Sequence, residues 1–212
     1  QGTGKKVDVL FVVDDSGSMG NKQSELAGNF AEFVQIATLW KNDFHIGVVT
    51  TDMADGNKSG KLQTANGVRI VTPADKNAQQ DLLKLTMPGT GGSGDEQGLA
   101  AAEAALTAPL VSSTTTACQT DADCKSVGGS CVIGADDGKK FCGGHNRTFL
   151  RKNASLEVVV LSDEEDSSPS DVNYYANLFY SLHGAGNKNL FHFHAITGDP
   201  GNGCKNNGGA DA

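Results

Sequence analysis

Residues 7–20 read VDVLFVVDDSGSMG. Val7 to Val13 are apolar apart from Asp8, the composition of a strand buried on both faces and so of a central strand in a parallel sheet. The run ends in a turn of small residues carrying Asp14, Ser16 and Ser18 at alternate positions. Asp14 therefore stands at the carboxyl end of its strand, where open α/β sheets bind ligands. One carboxylate and two hydroxyls on a glycine-containing loop are hard oxygen donors suited to Mg²⁺, Mn²⁺ or Ca²⁺. The same residues also suit a helix start, with Ser16 or Ser18 as cap and Asp14 near the positive end of the dipole. An aspartate-nucleophile phosphatase loop also follows a buried strand, but it needs a second Asp two residues after the first, and position 16 is Ser.

Working outward, Leu26, Phe30, Phe33 and Ala37 recur at helical spacing behind Asn21, a candidate cap. FHIGVVT (44–50) is a second strand, and 61–71 reads as a short strand or a hairpin with Asn66-Gly67 as its turn. Helices are expected over 75–86, 99–106 and 171–182, and strands over 156–162 (LEVVVLS) and 189–196 (NLFHFHAI). This alternation predicts an α/β fold with a doubly wound, mostly parallel central sheet and helices on both faces. Right-handed crossovers then bring the loops that begin at Asp14, Asp52, Asp163 and Thr197 to one face, together with the loop before helix 99–106. Asp15, Asp52, Asp55, Glu164, Glu165, Asp166 and Asp199 lie in those loops. They serve solubility and loop chemistry, or they make a field that draws cations or a basic partner.

Asp-x-Ser-x-Ser after a hydrophobic strand resembles the metal-ion-dependent adhesion site of von Willebrand factor type A (vWA) domains. Asp163, in VVVLSDEED, matches the Asp that this family places after a second buried strand. The resemblance covers roughly residues 5–110 and 155–200 and leaves out 117–143. The family's second loop, commonly Gly-Gly-Thr-x-Thr, is here Gly91-Gly92-Ser93-Gly94-Asp95. Asp95 falls where many members place a metal-ligating Thr, and Glu96 is the neighbouring alternative; both also suit the first turn of the next helix. The resemblance implies a Rossmann-like domain over 5–204 and one divalent cation held by Asp14, Ser16, Ser18, Asp163 and either Asp95 or Glu96. It further implies metal-bridged binding of a protein or other macromolecular ligand at that face. An Asp in place of Thr adds a negative charge beside the ion, which should raise cation affinity and lower affinity for an acidic ligand. Family domains close with a helix after the last strand. The chain is expected to lack it, with the partner of Cys204 beyond Ala212.

The 212 residues carry a formal charge of −8 and a pI of about 5.0, which argues against nucleic-acid or anionic-membrane surfaces. No run of about twenty apolar residues offers direct membrane insertion, and no signal peptide is visible; QGTGKK reads as a polar tether, which leaves room for a secretion signal removed upstream. Cys118, Cys124, Cys131 and Cys142 are too widely spaced for a zinc ribbon. Their segment, 117–143, is Gly- and Asp-rich with little to build a core, so two disulfides are expected, and with them a cell-surface, secreted or periplasmic setting. Of three possible connectivities, Cys118–Cys131 with Cys124–Cys142 is favoured. The insert follows a helix and precedes a strand, so it should leave from the face opposite the metal loops. A stapled insert of this kind is closer to bacterial surface proteins than to animal ones. Two other readings stand beside adhesion. In one, the cation only locks the loops and the insert binds the partner; the other is a metal-dependent hydrolase. For the hydrolase no general base or phosphate-binding Lys is placed, so no enzyme is expected. PGTGGSG lacks the Gly-Lys-Ser/Thr of a nucleotide loop. His192 and His194 share one strand face. Spacing places no third zinc ligand beside them, and the pair reads as facing a helix layer or solvent.

Overall fold

The computed structural model describes residues 5–39, 42–135, 137–184 and 186–197; within 30–39 only the backbone is described. In chain order the elements are β1 (Lys6–Val13), α1 (Gly20–Leu39), β2 (Asp43–Thr50), α2 (Ala78–Leu85), α3 (Gly98–Leu106), β3 (Ser113–Ala117), β4 (Ser130–Ile133), β5 (Lys140–Gly143), β6 (Ser155–Leu161), α4 (Val172–Ser181) and β7 (Phe191–Ile196). The architecture is mixed α/β. A four-stranded parallel sheet has the order β2-β1-β6-β7, and a small antiparallel sheet has the order β3-β5-β4. β1 is central, paired with β2 on one side and β6 on the other, as its apolar run requires.

Alternation along β1 divides the apolar residues into two cores. Leu10 and Val12 pack with Ala101 and Ala105 of α3, Tyr175 and Phe179 of α4, and Phe191 of β7. Val9, Phe11 and Val13 pack with Met19, Ile46 and Val48, and with Leu82 and Leu85 of α2, against Leu26 of α1. The small Ala face of α3 lets that helix lie close on the sheet, and the aromatic face of α4 fills the outer part of the same core.

Several boundaries differ from expectation for local reasons. Asn21 does not cap α1. Ser16 is extended (φ −70, ψ 168) and the chain winds straight into a 3-10 turn at Gly17–Met19, so Asn21 already lies inside the helix. α2 starts at Ala78 rather than at 75 because Asp75 Oδ2 accepts from both the N–H (2.6 Å) and the hydroxyl (2.9 Å) of Thr72, fixing a turn there. β7 starts at Phe191 because a 3-10 turn occupies Lys188–Leu190. Asn66 (φ 51) and Gly67 (φ 83) form the expected turn between Ala65 and Val68, and Asp171 caps α4 by accepting from Asn173 N–H at 2.7 Å.

The insert carries disulfides Cys118–Cys131 and Cys124–Cys142. Its buried cluster is made of the cysteines themselves, so the cross-links stand in for the hydrophobic core that this polar sequence lacks. Buried Asn146 ties the returning chain to the main body: its Oδ1 accepts from Leu62 N–H (3.0 Å), and its Nδ2 donates to the carbonyls of Gly60 (2.8 Å) and Ala105 (3.0 Å). Farther on, Arg151 reaches the strand starts. Its Nε donates to Asp8 Oδ1 (2.7 Å), its N–H to Asp8 Oδ2 (2.6 Å) and its Nη1 to Asp43 Oδ1 (2.6 Å). Asp8, the polar interruption in β1, is therefore a fully buried, paired carboxylate. Cys204 and Asp199 lie outside the described residues.

Candidate functional site

At the carboxyl end of β1 the ladder to β6 continues past the strand, with Asp14 N–H donating to Leu161 carbonyl at 2.9 Å. This places the DDSGSMG loop beside the turn at Ser162 and Asp163. Asp14 is fully buried. Its Oδ1 accepts from Ser16 N–H (2.8 Å) and its Oδ2 from Ser162 Oγ (2.7 Å). The hydroxyls of Ser16 and Ser18 are 3.2 Å apart, and Ser18 Oγ donates to Asp163 Oδ1 at 2.9 Å. The other oxygen of Asp163 accepts from the Lys22 ammonium. Asp14, Ser16, Ser18 and Asp163 are thus drawn into one hydrogen-bonded group from two strands far apart in sequence.

In the second loop Glu96 is buried and Asp95 is exposed. Asp95 accepts from Gln97 Nε2 at 2.9 Å. Glu96 is 2% exposed, held inward by a bridge to Asp52 and by Ser167 N–H donating to its carbonyl (2.7 Å). One carboxylate oxygen accepts from the Thr51 hydroxyl; the other, Oε1, is buried without a hydrogen-bond partner. Burial, opposed by the Thr51 bond and reinforced by the charges of Asp14, Glu164 and Asp15, pushes the Glu96 carboxyl from 4.5 up to about 7. Glu164 is likewise raised by burial and by the charges of Asp14 and Asp163.

Asp15 has a different partner from Asp14. Its Oδ2 accepts from Lys58 Nζ (2.6 Å), which also donates to Asp52 Oδ2 (3.1 Å), while Oδ1 is buried without a partner. Burial raises the Asp15 carboxyl despite Lys58. Asp52 ends below its usual value, because the Lys58 bond and the N–H groups of Asp55 and Ala54 outweigh its burial. A Cβ on Gly92 would stand 2.4 Å from Asp15 Oδ1. The glycine there lets the 86–97 loop approach, with Gly92 N–H donating to Asp15 carbonyl (2.7 Å). Asp166 has a structural task, accepting from Leu99 N–H (3.0 Å) at the start of α3.

Sequence reasoning missed Lys22, Gln23, Thr51 and Ser162. Gln23 Nε2 donates to the carbonyls of Asp14 and Gly89 (both 2.8 Å), clamping the first loop to the second. Lys22 and Gln23 sit one turn beyond Ser18, so helical spacing alone would have brought them near. Thr51 and Ser162 directly follow the ends of their strands. Among the described residues, the one set of three or more His, Cys, Asp or Glu whose ligand atoms all lie within 4.8 Å is Cys118, Cys124 and Cys142, and those sulfurs are in disulfides. Any cation at this mouth would therefore rely on the serine hydroxyls between the carboxylates. A groove of about 440 Å³ beside α3, lined by Met53, Glu103 and Tyr175 among others, shares no residue with the group.

No protein-family model matches the chain, and no curated protein does. Among solved structures, the open conformation of the pilus adhesin SpaC from Lactobacillus rhamnosus GG is similar at 16% identity and a TM-score of 0.38, over 91% of this chain and 28% of that one. Proximal thread matrix protein 1 from the mussel byssus is similar at 12% identity and a TM-score of 0.39, over 92% of this chain and 38% of that one. The chain thus spans well under half the length of either protein. No helix among the described residues is long and apolar enough to cross a membrane.

Proposed function

We propose that the chain is a vWA-like, doubly wound domain over 5–204, with an insert at 117–143, and that it binds a macromolecular partner through one divalent cation. Asp14, Ser16, Ser18 and Asp163 would hold the ion, with Glu96 as the acid of the second loop. The observation that carries this reading is the convergence of the β1 and β6 loops: Ser18 Oγ bonds Asp163 and Ser162 Oγ bonds Asp14, while Glu96, whose Oε1 is buried without a hydrogen-bond partner, feels the charge of Asp14. The donors fit a hard cation, being all carboxylate and hydroxyl oxygen. When bound, the ion supplies an electrophilic coordination position for an oxygen of the partner. The residues themselves position it: Gln23 clamps the loops, and Lys22 balances Asp163 until a divalent charge takes over. The two disulfides fit an oxidising, extracellular or periplasmic setting.

Isothermal titration of the protein with Mg²⁺, Mn²⁺ and Ca²⁺ tests the reading. One equivalent should bind, and Asp14→Ala and the Ser16→Ala/Ser18→Ala pair should each abolish binding while the far-UV spectrum is kept. Unchanged cation binding in both variants would refute it.

A further inference from the structure

A second group of donor side chains lies away from that site, on the edge of the parallel sheet; as placed, its three ligand atoms do not all lie within 4.8 Å of one another, so binding an ion requires the two rings to turn inward. β6 reads SLEVVVL, and Glu157 is its charged residue. In register, Glu157 stands opposite His192 of β7, and His194 is two residues farther along the same strand. All three side chains therefore project from one sheet face. The carboxylate lies between the two rings: Glu157 Oε1 is 2.9 Å from His192 Nδ1, and Oε2 is 3.0 Å from His194 Nε2. The histidines are half exposed (51% and 52%) and the glutamate is 25% exposed. Partly buried Val159 and exposed Ile196 complete the same face. The sequence alone supplied the two histidines; strand pairing supplies the third donor.

We propose that Glu157, His192 and His194 form a three-ligand site for a borderline transition-metal ion, Zn²⁺ in the first place. Two imidazoles and one carboxylate are a known donor set for zinc with an open fourth position, and imidazole favours Zn²⁺, Ni²⁺ or Cu²⁺ over Mg²⁺ and Ca²⁺. Neutral imidazole binds through the ring nitrogen that lacks a proton. Where a ring now donates to Glu157, coordination therefore needs a tautomer shift, and no net proton has to leave. Zinc–nitrogen bonds of about 2.0–2.1 Å require the two rings to close on a common point. Both are exposed enough to turn, and the carboxylate already lies between them. The apolar neighbours strengthen the ion's hold by limiting water. This site is distinct from the divalent-cation mouth: Glu157 lies four residues before the end of β6 at Leu161, about 13 Å at 3.3 Å per residue, and Asp163 stands beyond that end.

The test is titration of the whole chain with Zn²⁺ in excess Mg²⁺, which occupies any hard-oxygen site, followed by Co²⁺ spectroscopy in the visible. One Zn²⁺ per chain is expected. His192→Ala and His194→Ala should each weaken it by at least about tenfold, a loss that even outer-sphere partners of a metal ligand can cause. The double variant should lose both zinc uptake and the Co²⁺ band, and Glu157→Gln should weaken uptake and alter that band. The substituted histidines are surface residues, and circular dichroism checks that each variant is folded. Absence of stoichiometric zinc binding would overturn the inference. So would zinc binding that survives in the double histidine variant and yields to Mg²⁺, because the ion would then belong to the carboxylate mouth and the proposed function would stand alone.

Discussion

Replacing Glu96 by Gln should stabilise the metal-free protein at alkaline pH. Glu96 is buried, keeps one oxygen without a partner and shares its surroundings with Asp14, Asp15 and Glu164. Its carboxyl is raised from 4.5 to about 7, so the folded state binds that proton more tightly than the unfolded chain does. The sign follows: stability from this group is complete below about pH 4.5 and is lost as pH rises through about 7. At about 1.4 kcal/mol for each factor of ten in proton affinity, holding Glu96 ionised costs the fold about 3 kcal/mol above pH 8. Gln keeps the shape and the acceptor for Thr51 but carries no charge. Urea denaturation in chelator should show Glu96→Gln more stable than wild type by about 3 kcal/mol near pH 8.5. The gap should shrink to about 1 kcal/mol near pH 5.5. Saturating Mg²⁺ at the higher pH should close much of it by stabilising the wild type alone. A Glu96→Gln protein that is less stable than wild type near pH 8.5, or a gap that ignores pH, would refute the reasoning.

Other expectations follow from single contacts. Lys22→Met removes the ammonium paired with Asp163, which a divalent cation would otherwise displace; calorimetry should show cation affinity raised about fivefold, the equivalent of about 1 kcal/mol. Arg151→Met leaves Asp8 buried without its counter-charge. That should cost about 3–5 kcal/mol, and at about 2–4 °C per kcal/mol the melting temperature should fall by about 6–20 °C. Burial already holds the Asp8 carboxyl above its usual range despite Arg151, so in thermal melts the deficit should narrow as acid protonates it. Cys124→Ser/Cys142→Ser opens a cross-link spanning 18 residues and should cost about 3 kcal/mol. The loss should be confined to the insert, with hydrogen exchange rising in β4 and β5 while β1 and β6 stay protected.

Much of the parallel sheet could be read directly. VDVLFVV, FHIGVVT and LEVVVL are largely apolar runs with few polar interruptions, the composition favoured in a parallel sheet. The small residues after them, Asp14, Ser16, Ser18 and Asp163, could be assigned to one mouth because right-handed crossovers leave little choice. The insert's sheet was not legible, because STTTA, SCVI and KFCG show no core-forming alternation and the cystines hold them instead.

The sequence by itself determined which atoms are available: hard oxygens after β1 and β6, two histidines on one strand face, and four cysteines where a core is missing. Tertiary structure decided which of them meet. It turned Glu96 inward and left Asp95 in solvent, a choice made by the Asp52 bridge and the Ser167 bond rather than by residue type. It put Lys22 on Asp163 and gave the Asp8 of β1 its partner 143 residues away in Arg151. It also placed Glu157 between His192 and His194. In each case the deciding contact is long in sequence and short in space. Local pattern records only the tendency of each segment, and pairing across strands and loops sets the chemistry that each charge can perform.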